Sequence, residues 1–368
     1  MKKLIALIAA MALCALSLSA CGSSAPQTTA ATSAEQTATT AAPSEATTAS
    51  AATTAQKETD DDDIDEPDHE QDDSVTVNVT AMTGPTGMGM AYLNKQSDLG
   101  ETDYKYNFTY AGSPDEVTGG LISGETQISA LPVNLAAVLY NKTQGQILTA
   151  AVNTLGVIYI VENGETVKSI SDLEGKKIVA SGQGSTPEYV LNYILEKNGL
   201  TGKVEVEYVS EHDEAVTALV SGQADLVMIP EPKVTAALSQ LDTARVALSL
   251  TDEWAKVSDT EMITGVIVVQ KAFAEEHPEI VESFLDDYED SVEFTNSNMA
   301  EAAQLIEEYG IIPKAAVALK ALPNCNIVYI DGHEMALSVS AMLETLYNAN
   351  PASVGGTLPG EGMFYLED

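Results

Sequence analysis

The chain has 368 residues and carries 55 acidic against 17 basic side chains, a formal net charge of −38. With a single arginine, Arg245, it has no basic stripe with which to displace counterions from phosphates, which excludes a nucleic-acid partner. An apolar share of 45% with 25 Gly and 14 Pro fits a globular protein and excludes disorder along the whole chain.

Residues 1–20 open with Met1-Lys2-Lys3, continue as an apolar stretch from Leu4 and close on small residues, the pattern of a secretory signal peptide. The stretch is short for a spanning anchor. Leu18-Ser19-Ala20-Cys21 resembles the bacterial lipobox, which implies cleavage before Cys21 and lipid attachment to its sulfur. Cys14 would leave with the signal and Cys21 would be consumed, so Cys325 would remain alone as a small apolar filler, without a disulfide. Residues 22–57 are almost all Ala, Thr, Ser, Gln and Pro, and 58–73 hold eleven carboxylates. Neither segment buries enough apolar surface to offset chain entropy, so 21–73 reads as a lipidated cysteine followed by a disordered tether. The body beyond it, residues 74–368, keeps a net charge of −28.

From Ser74 the pattern changes. Val75, Val77 and Val79 alternate with polar residues as in a strand, and Gly84-Pro85-Thr86-Gly87-Met88-Gly89 then leads into a helix through Leu93. Tyr104–Tyr110 and Gln127–Leu131 read as strands, with Asn134 placed to cap the helix that follows. Ile147–Val152 and Val157–Val161 read as two strands joined by a turn. A second run begins at the strand Lys177–Ala180. Gly182-Gln183-Gly184-Ser185-Thr186-Pro187-Glu188 then opens a helix with Val190, Leu191, Ile194 and Leu195 on one face. Ser185 with Glu188 fits a capping box and Gly199 a C-terminal cap. Val204–Val209, Ala215–Val220, Leu226–Ile229 and Val246–Leu250 continue as strand, helix, strand and strand, with Val266–Val269 a further strand. The remainder is mostly helical, over Glu279–Phe294, Ala300–Tyr309, Lys314–Leu322 and Glu334–Tyr347.

Strands separated by helices imply an α/β fold with parallel sheets covered on both faces. A body of this length exceeds one core, so two lobes around a cleft are expected, lobe 1 from 74–162 plus 260–368 and lobe 2 from 163–259. Ligands in such folds sit beyond the carboxyl ends of strands, where helix starts offer backbone N–H groups. The Gly84–Gly87 and Gly182–Thr186 turns both qualify, although tight strand-to-helix turns are also common without a ligand. Neither has the phosphate-loop lysine or dinucleotide spacing.

Six segments in order carry a resemblance: Gly84 to Gly89, Leu173 to Ile178, Gly184 to Tyr189, Ser221 to Asp225, Pro230-Glu231-Pro232 and Phe273 to Glu279. Together they resemble the nitrate/sulfonate/taurine-type (NitT/TauT) solute-binding lipoproteins of ABC importers. The resemblance implies a type II periplasmic-binding-protein fold with two hinge crossings. It also implies a monomer, lipid-anchored on the extracytoplasmic face, that delivers a small solute to permease and ATPase subunits, without cofactor or metal. Carried over, it places ligand contacts at Gly84, Pro85, Thr86, Gly87, Met88, Gly184, Ser185 and Thr186, with Leu131 to Asn134 and Glu231 lining the cleft. Glu231 could face the ligand or cap the next helix. No basic side chain flanks either turn, which argues against a small oxyanion. Met82, Met88 and Met90 with Tyr92 and Tyr189 would suit a larger, partly apolar solute, or simply pack in the core.

Two rivals stand beside this reading. Thiamine-pyrimidine and menaquinone pathway enzymes share the general fold, but His69 falls in the tether, His277-Pro278 reads as a helix start, and His212 and His333 lie in acidic segments expected to be exposed. A surface interaction lipoprotein would explain anchor and spacer but not two ligand-type turns.

Overall fold

The computed structural model describes residues 71–366. The signal peptide, Cys21 and almost all of the tether lie outside these residues. Lobe 1 begins with β1 (Asp72–Met82), α1 (Pro85–Met88), α2 (Ala91–Leu99), β2 (Tyr104–Ala111), α3 (Pro114–Ser123), β3 (Ile128–Pro132), α4 (Val133–Lys142) and β4 (Ile147–Thr154). The chain crosses to lobe 2 for β5 (Ile158–Asn163), β6 (Lys177–Ala180), α5 (Thr186–Lys197), β7 (Glu205–Tyr208), α6 (His212–Val220), β8 (Leu226–Pro230), α7 (Lys233–Gln240), β9 (Ala244–Ser249) and α8 (Leu250–Ala255). It returns for β10 (Gly265–Gln270), α9 (Lys271–Glu276), α10 (Pro278–Ser297), α11 (Met299–Glu308), α12 (Ala315–Ala321), β11 (Ile327–Ile330) and α13 (Gly332–Ala349).

Local chemistry explains the regular elements. On α5, Val190, Leu191, Ile194 and Leu195 are buried at helical spacing, and Pro187 sits in the first turn, where its missing N–H costs nothing. The long α10 buries Ile280, Val281, Phe284, Leu285, Tyr288 and Val292 along one stripe, with acidic residues opposite. Strand β1 starts at Asp72, two residues before the expected start of the folded body at Ser74. Gln71 Nε2 anchors that start by donating to Ser97 O, Thr102 Oγ1 and Tyr104 O.

The six-stranded sheet of lobe 1 has the order β11-β4-β10-β3-β1-β2, and the five-stranded sheet of lobe 2 the order β7-β6-β8-β5-β9. The expectation of parallel sheets is corrected here: β1, β2 and β3 are parallel, as are β6, β7 and β8, but β10 and β11 in lobe 1 and β5 in lobe 2 are antiparallel to their neighbours. The reason is the crossing. Strands β5 and β10 each receive the chain straight from the other lobe, at the edge where the parallel strands end, so they must run away from that edge.

The first crossing also moves the expected boundary. It falls at Leu155–Val157, not near Glu162, because β5 pairs with β8 and β9 in lobe 2. The supposed turn between two neighbouring strands is the link between the lobes. The second crossing occupies residues 256–264 and lies beside the first: Thr264 N–H donates to Thr154 O at 3.0 Å, and Thr264 Oγ1 to Leu155 O at 2.5 Å. Asn326 Nδ2 donates to Gly156 O at 2.5 Å. A Cβ on Gly156 would lie 2.1 Å from Thr251 Oγ1 and 2.4 Å from Met262 Cε, so only glycine fits where the two links touch.

Helices α3, α8 and α9 and strand β11 lie outside the elements read from the sequence; α8, α9 and β11 span only six, six and four residues, too few to show a period. One apolar core runs from Leu139 of α4 and Met335 of α13 in lobe 1 to Val190 and Ile194 of α5 in lobe 2. Away from it, lobe 1 has a second core around Phe284 and Tyr288, and lobe 2 a third around Val227 and Leu219.

Candidate functional site

Because β1, β2, β3, β4, β6, β7, β8 and β9 all run toward the crossings, their carboxyl ends gather on the facing edges of the two sheets. Four of the helix starts that follow them, those of α1, α4, α5 and α7, therefore carry the expected site. Gly84 precedes α1 with φ of 93°, a backbone region open to glycine, and Gly87 leaves no room for a side chain: a Cβ there would stand 2.5 Å from Met82 O. Thr86 O accepts from Asn153 Nδ2 at 3.0 Å, which fixes the turn to β4. Gly182 and Gly184, with φ of 85° and 73°, build the matching turn before α5.

Asn134 joins the two sides. It does not cap α4, whose cap position is Pro132; it is the second helical residue and only 3% exposed. Its Oδ1 accepts from Thr186 Oγ1 at 3.0 Å, and its Nδ2 donates to Ser353 O at 3.3 Å and reaches Gly184 O at 3.5 Å. The carboxamide thus ties lobe 1 to the second glycine turn. Since β1 and β3 are adjacent and parallel, the start of α4 also neighbours the Gly84 turn. Helices α13 and α5, and α12 and α7, add packing between the lobes.

The capping box expected at Ser185 takes another form. Ser185 occupies the cap position of α5 but makes no side-chain cap bond, while Glu188 Oε2 accepts from Gly184 N–H at 2.6 Å. The Ser185 hydroxyl is left for other work. Glu231 lies one residue past the end of β8, is 3% exposed and serves the start of α7, accepting from Thr235 N–H and Thr235 Oγ1, each at 3.1 Å. Burial raises its pKa, against the pull of those two bonds. Met88 and Leu131 are fully buried core residues, Met88 Sδ lying 3.9 Å from Cys325 Sγ. Met90 is equally buried and Tyr92 stacks on Phe294 at 3.8 Å, so the packing reading holds for these side chains. Cys325 is buried, and burial followed by the nearby Glu231 charge pushes its thiol pKa well up.

His212 corrects a sequence expectation. It is half-buried, not exposed, with Nδ1 2.6 Å from Ser181 Oγ, at the carboxyl ends of β6 and β7. Burial, then Lys233, pushes its pKa down to about 4, so the ring is neutral at physiological pH. Only the pairing of β6 with β7 brings Ser181 and His212 together, and no local motif marks it. Lys233, at the first position of α7, is held by Asp213 at 2.6 Å.

A separate groove of about 1100 Å³ lies on lobe 2 and is lined by Lys177, Glu207, Asp213, Thr217 and Gln223 among others. All its walls come from one lobe, so it is not the interlobe site. Among the described residues no group of three or more His, Cys, Asp or Glu is placed to hold a metal ion, and no helix is long and apolar enough to cross a membrane.

Two α/β sheets joined by two adjacent crossings, with ligand-type turns on their facing edges, define the periplasmic-binding-protein fold. Comparison with known proteins agrees. Residues 140–302, which contain all of lobe 2 and both crossings, match the family model described as NMT1/THI5 like. The chain is similar to an ABC transporter structure from Parabacteroides distasonis, at 24% identity and a TM-score of 0.66, covering 80% of this chain and 99% of that one. It is similar to the periplasmic aliphatic sulphonate binding protein SsuA from Escherichia coli, at 18% identity and a TM-score of 0.64, covering 80% and 92%. A Candida albicans gene product described as having the generic periplasmic binding protein fold is also similar, at 12% identity and a TM-score of 0.54, covering 78% and 93%. No curated protein sequence matches the chain. The fold implied by the sequence resemblance is the fold observed.

Proposed function

We propose that the chain is the extracytoplasmic solute-binding protein of an ABC importer. It captures a small organic solute between its lobes and delivers it to a membrane permease driven by a separate ATPase. The observation that carries this reading is the convergence of the Gly84 turn, Asn134 and the Gly182–Thr186 turn on one interlobe edge, beside two short crossings that can act as a hinge. In this reading the solute touches the backbone of Gly84 to Gly87 from lobe 1 and of Gly184 to Thr186 from lobe 2. The unengaged Ser185 hydroxyl adds a hydrogen bond, and Glu231 lines the floor near the crossing. Closure removes the solute from water, and opening at the permease releases it.

Secretion through residues 1–20 and a lipid on Cys21 would hold the protein at the outer face of the cell membrane, with residues 22–70 as spacer. The reading includes no catalytic step. The test is a thermal-shift and native mass-spectrometry screen of the full-length protein against sulfonates, nitrate, bicarbonate, pyrimidines, flavin-like aromatics and small carboxylates. A bound solute at 100 times its dissociation constant adds about 2.7 kcal/mol of stability. Turnover of a bound compound would favour an enzyme on this fold instead, and absence of any binding would defeat the reading. Palmitate labelling lost in Cys21→Ser checks the anchor.

A further inference from the structure

Helix α13 and the segment after it connect the two lobes. The helix buries Met335, Val339, Met342, Leu343 and Leu346 in the core that also holds Val190 and Ile194 of lobe 2, and it packs against α5. Beyond it, Asn350 Oδ1 accepts from Ala352 N–H at 3.1 Å and opens a 3₁₀ turn over Pro351–Val354. The chain then lies across lobe 1 as a strap. Asn141 of α4 donates through Nδ2 to Val354 O at 2.8 Å and to Thr357 O at 2.7 Å, and Tyr365 N–H donates to Thr149 O of β4 at 2.9 Å. Val354 and Met363, both fully buried, pin the strap to the shared core. Gly355, with φ of 83°, passes so close to α4 that a Cβ would stand 3.2 Å from Val138 Cα.

Between these ties the strap meets the bridge between the lobes. Ser353 O accepts from Asn134 Nδ2 at 3.3 Å, and Gly184 O lies 3.5 Å from the same nitrogen. A carboxamide has one donor end and one acceptor end, so a carbonyl on the nitrogen side turns the oxygen toward lobe 2. There it accepts from Thr186 Oγ1 at 3.0 Å. Without the Ser353 carbonyl the amide is free to turn over, and the bond to Thr186 loses its fixed partner. The strap is also seated lightly. Ser353 is fully buried and its Oγ has no hydrogen-bond partner among the described residues, so lifting the strap lets water satisfy that hydroxyl.

We propose that residues 350–365 are a closing strap: by orienting Asn134 toward Thr186 they hold the two lobes together in the absence of solute, and lifting them frees the lobes to part. The proposal rests on the solute-binding reading above for the parting of the lobes, but its test needs no solute.

Spin labels at Leu99 of α2 and Ser239 of α7 report the distance between the lobes in the full-length protein. Asn141→Ala removes two ties of the strap and touches neither Asn134 nor a glycine turn. Gly355→Val forces the strap away from α4. Each should raise the population at distances longer than in the wild type roughly fivefold, the change that one lost buried hydrogen bond brings. In Thr186→Val the bridge is already gone, so adding Asn141→Ala should bring no further shift. If Gly355→Val fails to fold, Asn141→Ala and its double variant still decide. An unchanged distribution in Asn141→Ala, or a shift of the same size with Thr186→Val already present, overturns the strap and leaves solute binding to its own screen. A distribution that no variant moves, Thr186→Val included, overturns both the strap and the hinged opening in the solute-binding reading.

Discussion

Asn134→Ala should loosen the contact between the lobes more than it loosens either lobe. The carboxamide is 3% exposed and makes two bonds of ordinary length, from Thr186 Oγ1 at 3.0 Å and to Ser353 O at 3.3 Å; the 3.5 Å approach to Gly184 O is at the limit and is counted as nothing. Each buried neutral bond contributes about 1 kcal/mol net, and alanine returns roughly 0.5 kcal/mol as the better helix former. Partners left unpaired restore a similar cost, so the loss should be about 2 kcal/mol in all. Only the Thr186 half acts between lobes. That share, about 1 kcal/mol, shifts an open–closed equilibrium roughly fivefold. The assay is a double-mutant cycle with Thr186→Val in urea, paired with distances between spin labels at Leu99 of lobe 1 and Ser239 of lobe 2. The two substitutions should overlap by about 1 kcal/mol, because both remove the same bond. Additive losses together with an unchanged label-distance distribution would refute the idea that this side chain bridges the lobes.

Three further outcomes follow from the geometry. His212, pushed down to about 4 from the ordinary value of 6.5, should hold stability in full above pH 6.5 and lose it as pH falls toward 4, because the unfolded state takes up the proton first. Ring resonances that titrate near 6.5, or an acid profile unchanged in His212→Asn, would contradict this. The buried carboxylate of Glu162 accepts from Thr166 and Val167 and pairs with Arg245 at 2.6 Å. Despite burial, these bonds hold its pKa below the usual value, so its contribution should be present above about pH 4.3 and vanish below its folded pKa. Glu162→Ala should cost about 3 kcal/mol in urea unfolding at pH 7 and flatten the most acidic part of the curve. At the turns, Ser185→Ala should weaken solute binding with little change in melting temperature, since the hydroxyl makes no cap bond. Gly87→Ala should by contrast lower the melting temperature, because the new methyl meets Met82 O at 2.5 Å. Equal stability of the two variants would remove the distinction.

Much of the fold is legible locally. The alternation of Val75, Val77 and Val79, the stripe of Val190, Leu191, Ile194 and Leu195, and the glycines that open both turns each need only their sequence neighbours, and β1, α5 and the turns form where expected. The site is legible only in outline. Asn134 has the composition of a cap and the position of a bridge, a difference set by Thr186, 52 residues away. Ser185 and Glu188 show a capping pattern, yet Glu188 turns to Gly184 instead. His212 lies in an acidic run, and what buries it is the neighbouring strand.

By itself, then, the amino-acid order decides which stretches are strands and helices and where the backbone can bend sharply, because spacing and glycine placement act over a turn or two. It does not decide which sheet a strand joins. Leu155–Val157 is three residues long and reads as a hairpin link, but β5 finds its hydrogen-bond partners in β8 and β9, more than sixty residues further on. That long-range pairing reverses β5 and β10, brings the two crossings together and sets the Gly84 and Gly182 turns on the facing edges of the two sheets.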